Sequence, residues 1–402
     1  MERIWISRVG TAAITVAWIY GSFVCSAADW PMLGRDGTRN GVSAEAGAPT
    51  EWSVEARTED GRVSRVSRGI RWSAPLGSQT HSSPVVSGGF VWIGTNSSKP
   101  GVDVHRVLKC FRVADGQQVY EYDSPKRGAW HNDPGWTGLG SSPLIEGDRL
   151  WLATNRSEVL CLDIGPLLRG EGPPRELWKL DLIKSFDIFP HVPVMGPPRP
   201  CSIGPSWNGR SFVTTNNGVG EDQKTVPKPE APNLVCLNKE TGEVYWKDNS
   251  PGNNILMSQF ASPTVAEIRG QVQVIVPQSD GWVRSFDPMT GEKFWEFDVN
   301  AKTSVFMRGR ATRNSLLGNA VVHEERVYLA SGQDAEQGEG LGRLVCIDPT
   351  KHGDVSSELA VEADGKPLPH RRVQAVDPKA GDKAIANPNS ALVWDFVHCG
   401  KT

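Results

Sequence analysis

The 402-residue chain has no adjacent pair of cysteines, no Cys-x-x-Cys motif and no His-x-x-x-His motif. These spacings supply the paired ligands of many zinc sites, so the sequence predicts no metal site. Positive charge is not in excess either, because the formal net charge is −3. This removes the electrostatic case for nucleic acid as a partner or for binding to an anionic membrane surface.

The N-terminal segment, residues 1–28, predicts a secretory signal peptide. Arg3 and Arg8 precede an apolar run from Val9 to Val24, and small residues follow at Ser26-Ala27-Ala28. The apolar run is short for a membrane-spanning helix, so we expect cleavage and export to the periplasm or the cell exterior, with no transmembrane segment left. Val24 precedes Cys25 where a lipoprotein signal needs a small residue, which disfavours lipidation.

The stretch from Ala261 to Val299 is the clearest copy of a unit that recurs along the chain. It predicts four short strands, because β-branched and aromatic residues alternate between turns rich in Gly, Pro and Asp. The third strand recurs five times, at residues 107–111, 159–163, 234–238, 283–287 and 344–348. The fourth strand carries an aromatic residue each time, at Tyr120, Trp178, Trp246, Trp295 and Trp394. Units of roughly 45 to 50 residues with four strands are typical of β-propeller blades.

Four cysteines occupy one equivalent position in these third strands, namely Cys110, Cys161, Cys236 and Cys346, and Ser285 takes that position in the remaining copy. We therefore expect these cysteines to be small buried core residues, each one blade away from the next, and not disulfide partners.

Two units share the motif Asp/Asn-x-x-Thr-Gly-x-x-x-Trp, from Asn238 to Trp246 and from Asp287 to Trp295. In this motif, and over roughly residues 70–396, the chain resembles the pyrroloquinoline-quinone (PQQ) repeat propellers. That superfamily includes quinoprotein alcohol dehydrogenases and the non-enzymatic propeller lipoprotein of the outer-membrane β-barrel assembly machinery. The motif has a physical basis, since Gly suits a positive-φ turn and Trp packs flat on the neighbouring blade. The resemblance implies a fold much more than a function.

We therefore predict an all-β propeller of four-stranded antiparallel blades, with an extended leader at residues 29–69 and the propeller at 70–402. The leader should cross the propeller surface, with Trp30 filling a groove. About five blades are expected, in an open arc that is an incomplete ring of a seven- or eight-bladed parent; the alternative is a small ring closed by another pairing. Ile70-Arg71-Trp72-Ser73 resembles a fourth strand that no earlier strands precede. The predicted blades are 82–122, 141–182, 201–247, 261–299 and 315–396.

The last predicted blade contains an insertion at residues 352–389. Because this segment is charged and has few aromatic residues, we expect a mobile surface excursion, with His370-Arg371-Arg372 exposed to solvent.

In a propeller, the loops that lead into the innermost strands meet at one mouth of the central channel. The candidate binding residues at this mouth are His81, Trp136, Arg199, Gln259, Arg313 and Asn314. Such a group suits a small polar or anionic ligand, and the alternative is a water-filled channel lined by polar groups. A neighbouring Trp-rich loop adds His131 and Asp133, and Asp133 is the candidate catalytic base; the alternative is a lid that packs on itself.

The resemblance also raises PQQ and calcium as cofactors. In the quinoprotein enzymes an adjacent-cysteine disulfide ring lies against the quinone, and Glu, Asn and Asp hold calcium. This chain has no adjacent cysteines, which favours a binding or scaffold module for proteins of the envelope over a PQQ-dependent dehydrogenase. A third hypothesis is recognition of polysaccharide by the Trp-rich loops.

Overall fold

A computed structural model describes residues 28–97, 105–125, 138–190, 202–307, 312–332 and 342–398. Strands dominate these ranges. The leader contains a small exposed hairpin, formed by β1 (Ala56–Arg57) and β2 (Val63–Arg65). Five four-stranded antiparallel meanders follow, which we call blades 1 to 5, and the sheet of blade 4 has one further strand at its edge.

The strands of the first four blades pair in the order in which they occur along the chain. Blade 1 contains β3 (Val85–Ser87), β4 (Phe90–Asn96), β5 (Arg106–Arg112) and β6 (Gln118–Ser124). Blade 2 contains β7 (Leu144–Glu146), β8 (Arg149–Ala153), β9 (Glu158–Asp163) and β10 (Arg175–Asp181). Helix α1 (Gly165–Leu168) lies between β9 and β10, and α2 (Leu182–Phe186) follows β10.

Blade 3 contains β11 (Ser202–Trp207), β12 (Arg210–Thr214), β13 (Leu234–Asn238) and β14 (Val244–Asp248), and a 3₁₀ turn at Gly252–Asn254 follows it. Blade 4 contains β15 (Thr264–Ile268), β16 (Gln271–Pro277), β17 (Trp282–Phe286) and β18 (Lys293–Asp298). Blade 5 contains β19 (Val321–His323), β20 (Arg326–Ser331), β21 (Gly342–Ile347) and, after the insertion, β25 (Leu392–His398). The predicted all-β fold of four-stranded antiparallel blades is confirmed.

The repeated cysteine lies opposite the repeated aromatic residue in every blade that has both. Cys110 pairs with Tyr120, Cys161 with Trp178, Cys236 with Trp246 and Cys346 with Trp394. All four thiols are free and buried, as the sequence predicts, and burial raises the pKa of Cys161 and of Cys236 to about 12. These thiols therefore stay protonated and act as small apolar residues.

An indole group of one blade clasps the turn between the third and fourth strands of the next blade. The indole N–H of Trp246 donates to the carbonyl of Pro288 at 3.1 Å. The ring also packs directly on Gly291, where an added Cβ would lie only 2.7 Å from Cδ2 of Trp246. Trp178 makes the same pair of contacts with Lys239 and Gly242. We call this arrangement the indole clasp.

Trp72 makes an indole clasp on blade 1. Its N–H donates to the carbonyl of Val113 at 2.7 Å, and its ring covers Gly116. The predicted fourth strand around this residue is wrong, because residues 70–73 form no strand. The indole is held in place by the turn that it covers rather than by a sheet of its own.

At the junction between blades 4 and 5 the indole does not bond to the turn directly, and the side chain of Gln273 bridges the two. Trp295 donates to Oε1 of Gln273 at 2.9 Å, and Nε2 of Gln273 donates to the carbonyl of Pro349 at 3.0 Å. The hydroxyl of Ser285 donates to the same Oε1 at 2.8 Å, which explains why a hydroxyl replaces the repeated thiol in this blade.

One face of blade 5 is packed and the other is open. Val327, Leu329, Val345 and Ile347 are buried in one cluster with Trp295 and Phe297 of blade 4. The alternate residues form a largely exposed apolar surface, which we call the open face of blade 5: Tyr328, Ala330, Leu344, Trp394 and Phe396. Trp394, the residue that would form the next indole clasp, is 43% exposed.

The leader runs along the inner strands of four blades and does not merely cross the propeller surface. Its main chain bonds to the first strands at four points, Trp30 with Val86, Pro31 with Ile145, Gly37 with Val265 and Thr38 with Val322, over 2.7 to 2.9 Å. Trp30 is thus an edge partner of blade 1 more than a groove filler. These bonds satisfy backbone groups that the inner strand edges would otherwise expose. A Cβ at residue 37 would lie 2.6 Å from the carbonyl of Val265, so this contact requires glycine.

The insertion of blade 5 is folded onto blade 4, which corrects the expectation of a mobile excursion. Strand β22 (Gly353–Asp354) adds to the outer edge of blade 4 in parallel with β18. Strands β23 (Glu358–Val361) and β24 (Lys383–Ala386) form a hairpin, with a 3₁₀ turn at Pro378–Ala380 between them. The insertion is polar on average, but it contains a few buried apolar residues, including Val355 and Val376, that anchor it to the rest of the fold.

The His370-Arg371-Arg372 triplet is also partly buried, contrary to the prediction. The indole N–H of Trp282 donates to Nε2 of His370 at 2.9 Å, and Nδ1 of His370 lies 3.6 Å from the buried carboxylate of Asp280. Arg372 donates to the carbonyl of Ile255 at 2.6 Å. Burial lowers the pKa of His370 to about 4, against the opposing charges of Asp280 and Asp298.

Replacing Gly291 by alanine tests the indole clasp. Gly270 is the matched control, because it has a similar φ of +80° but no atom within 4 Å of a new Cβ. We expect Gly270→Ala to lower the free energy of unfolding by about 1 kcal/mol from backbone strain, and Gly291→Ala to lower it by about 2 kcal/mol more because of the clash with Trp246. Urea unfolding monitored by fluorescence measures both. Equal losses in the two variants would show that the indole contact is unimportant.

His370 should make stability depend on pH. Its folded pKa, about 4, lies below the unfolded value, so its contribution is present above pH 6.5 and is lost as pH falls toward 4. Between pH 7 and pH 5 wild-type protein should lose about 2 kcal/mol more of unfolding free energy than His370→Gln, in which an amide oxygen still accepts from Trp282. Urea unfolding at the two pH values measures this difference, and identical losses would contradict the assignment.

Candidate functional site

Residues that precede the first strands of blades 1, 2, 4 and 5 surround one cavity of about 250 Å³, together with the start of β11 in blade 3 and the leader. The lining residues are Met32, Leu33, Arg39, His81, Ser83, Gly140, Ser141, Ser142, Pro143, Ser202, Ile203, Phe260, Ser262, Leu317, Gly318 and Asn319. Residues far apart in sequence therefore meet at the channel mouth. Small residues in the lining, such as Ser83, Ser142 and Ser262, leave the space open.

Hydroxyl groups tie the walls of this cavity together. Ser142 of blade 2 donates to the carbonyl of Ser83 and accepts from the amide of Ser83, both at 3.0 Å. At blade 4, the amide of Ser262 donates to Oδ1 of Asn319 at 2.7 Å, which joins the loops of blades 4 and 5. These bonds between neighbouring blades fix the positions of the loops, so the cavity is preformed.

Arg39 of the leader lines the cavity and is 5% exposed. Its Nε donates to the carbonyl of Pro263 at 3.1 Å, and Nη1 donates to the carbonyl of Leu33. Burial lowers the pKa of Arg39 to about 10, with Asp36 opposing the shift, so the side chain remains a cation at neutral pH. The residue was missed at the sequence level, since the aperiodic leader carries no pattern that marks an inward side chain.

Of the predicted binding residues, His81 lines the cavity. Gln259 lies behind the wall, where Nε2 donates to the carbonyls of Ala261 and Pro277. Asn314 also lies outside the lining, and its amide N–H donates to Oδ1 of Asn300 at 2.8 Å. Trp136, Arg199 and Asp133, with the rest of the Trp-rich loop, lie outside the described residues, so those assignments stay predictions.

Arg313 is fully buried and does not line the cavity. It belongs to a buried cluster of ion pairs in blade 4. Its Nη2 and the ammonium of Lys302 each lie 3.0 Å from Oδ2 of Asp298. Burial alone would raise the pKa of Asp298, but the charges of Arg313 and Lys302 hold it below its usual value. Asp280 and Arg284 form a second buried pair at 2.7 Å. Removing one member of such a cluster leaves an unpaired buried charge, so Arg313 has a structural task.

The cavity as described does not fit a quinone held with calcium. Calcium takes oxygen ligands and prefers carboxylates, yet the lining offers guanidinium, imidazole, hydroxyl and amide groups, and no Asp or Glu among the described residues. Nor do those residues contain a group of three or more His, Cys, Asp or Glu able to hold a metal ion. The cavity lining among the described residues therefore supports no chemical step through these cofactors.

Two comparisons with known proteins bear on the chain. Residues 174–367 match the family model described as outer membrane protein assembly factor BamB. Quinohemoprotein alcohol dehydrogenase from Comamonas testosteroni superposes with a TM-score of 0.52 at 12% identity, over 85% of this chain and 52% of that enzyme. The chain thus spans about half the length of this enzyme, and the likeness concerns the fold alone. No curated protein sequence matches the chain.

Two further solved structures are more distant in shape. BamB from Moraxella catarrhalis has a TM-score of 0.41 at 12% identity, over 82% of this chain and 92% of that protein. Quinohemoprotein alcohol dehydrogenase ADHIIG from Pseudomonas putida HK5 has a TM-score of 0.43 at 12% identity, over 82% of this chain and 61% of that enzyme. The repeated indole clasps, the five four-stranded blades and the family match over residues 174–367 together support a PQQ-repeat β-propeller family for this chain.

Proposed function

We propose that the protein is an exported binding or scaffold module that docks a protein partner of the cell envelope on the open face of blade 5. The observation that carries this proposal is the exposure of Trp394 beside Leu344 and Phe396. These three side chains are 43%, 39% and 60% exposed on one continuous sheet face. Contiguous apolar surface of this kind marks interaction sites in soluble proteins.

The junctions between blades indicate what such a face accepts. Trp72, Trp178 and Trp246 each cover a positive-φ glycine of a β-turn and donate to the carbonyl three residues before it. Trp394 stands at the same point of its blade, opposite Cys346. The partner is therefore a β-meander whose turn presents a glycine and a carbonyl to Trp394.

Two observations support a location in the envelope. The N-terminal segment has the pattern of a signal peptide, and the family model that matches residues 174–367 describes an outer membrane protein assembly factor. In the part of the chain that the structure describes, no helix is long and apolar enough to cross a membrane.

The two other functions rest on weaker support. A PQQ-dependent dehydrogenase would need a donor set that the described cavity does not supply. Polysaccharide binding depends on the loop around Trp136, which lies outside the described residues.

Site-specific photocrosslinking in the native cell tests the docking surface. A benzophenone amino acid at position 394 should form a covalent adduct with an envelope protein, whereas the same group at position 177 should not. Leu177 is a suitable control because it is a similarly exposed apolar residue, at 46%, on the last strand of blade 2.

With the purified partner, Trp394→Asp should weaken binding about 30-fold or more, as expected for loss of a central aromatic contact. Leu177→Asp should bind like wild type. Adducts only with a second copy of this chain, or equal adducts at both positions, would refute the docking proposal.

Export has a separate test. The mature protein should begin close to Asp29 and should fractionate with the envelope, because the signal segment is removed. N-terminal sequencing of protein from fractionated cells measures both. An intact Met1 on protein in the cytoplasmic fraction would contradict export and would leave the docking surface to be judged by crosslinking.

A further inference from the structure

The channel-mouth cavity contains a buried cation that the fold does not neutralise. Arg39 lines the cavity, and its Nη2 is buried without a hydrogen-bond partner among the described residues. The other guanidinium contacts are carbonyls, of Pro263 and Leu33. Carbonyl dipoles satisfy N–H groups, but they do not balance a charge.

The nearest acidic residue is already engaged. The carboxylate of Asp36 accepts from Nη2 of Arg35 at 2.8 Å and from the hydroxyl of Thr38 at 2.6 Å. Arg35 therefore forms the ion pair with Asp36. The charge of Asp36 also acts on Arg39, but Arg39 makes no ion pair with a carboxylate of the described residues. Burying a cation in this way costs free energy that an anion nearby would offset.

The rest of the cavity wall offers hydrogen-bond donors. Asn319 uses Oδ1 to accept from the amide of Ser262, so its Nδ2 group remains for a ligand. The hydroxyls of Ser83 and Ser262 lie in the same lining, and no Asp or Glu of the described residues lies there to repel an anion. A guanidinium surrounded by N–H and O–H donors is the arrangement that proteins use for carboxylate and phosphate groups.

We propose that the channel-mouth cavity binds a small oxyanion, of the carboxylate or phosphate class, with Arg39 as its charged partner and Asn319 as a neutral donor. The volume of about 250 Å³ lies just below the range of about 300 to 1,000 Å³ of ordinary ligand pockets, which restricts the site to a small molecule or a terminal group. This site is separate from the open face of blade 5 and does not depend on the docking proposal.

The test measures binding of inorganic phosphate and of acetate to the full-length protein by isothermal titration calorimetry. Sodium chloride at matched ionic strength is the blank. Either anion should bind with a 1:1 stoichiometry, and Arg39→Met should weaken that binding at least tenfold. Arg62→Met is the matched control, since it removes an exposed leader guanidinium that is paired with Asp60 outside the cavity. It should bind like wild type.

Thermal unfolding without added anion checks that a loss of binding in Arg39→Met is not caused by unfolding of the variant. Arg39→Met should unfold at the same temperature as wild type or higher, because it removes an unbalanced buried charge, and the anion should raise the midpoint of wild type only. If Arg39→Met does not fold, Asn319→Leu takes its place and should also weaken the anion. A tenfold loss with phosphate alone or acetate alone would identify the class. Absence of binding above the chloride blank, or equal binding by wild type and the Arg39→Met or Asn319→Leu variant, would overturn the proposal.

Discussion

The fold depends on the indole clasp, in which a tryptophan of one blade covers a glycine turn and donates to its carbonyl. The clasp combines burial of a large aromatic surface with a satisfied N–H group, so the same residue supplies both cohesion and alignment. It acts between neighbours only. The direct clasps hold blade 2 against blade 3 and blade 3 against blade 4, and Trp72 covers the corresponding turn of blade 1.

The leader is the second element that unites the blades. Whereas each clasp joins two neighbours, the main chain from Trp30 to Thr38 bonds to the first strands of four blades within nine residues. The leader also introduces Arg39, which is the only arginine in the lining of the channel-mouth cavity as described. Residues 30–39, which form no helix or strand, therefore both join the blades and supply the charged residue of the cavity.

The repeat was readable from sequence, whereas the segments between repeats were not. Alternation in strands, the recurrent thiol and the recurrent aromatic residue are local signals, and they predict the four-stranded blades. The position of His81 in the cavity lining also follows from the repeat, because this residue precedes a first strand. Arg39 and His370 were not, because the bonds that bury them come from residues distant in sequence. Polar composition made the insertion look solvated, although a few apolar residues such as Val355 suffice to anchor it.

Gln273 has a consequence for how the propeller tolerates extra sequence. The side chain of Gln273 stands between Trp295 and the carbonyl of Pro349 and bridges the junction between blades 4 and 5. Gly353 and Asp354 occupy the outer edge of that junction beside Trp295 and Glu296. The long insertion thus lies at the junction where the indole reaches the next blade through a glutamine side chain. At the junctions where the indole contacts the turn directly, the third and fourth strands of the next blade are joined by a short turn.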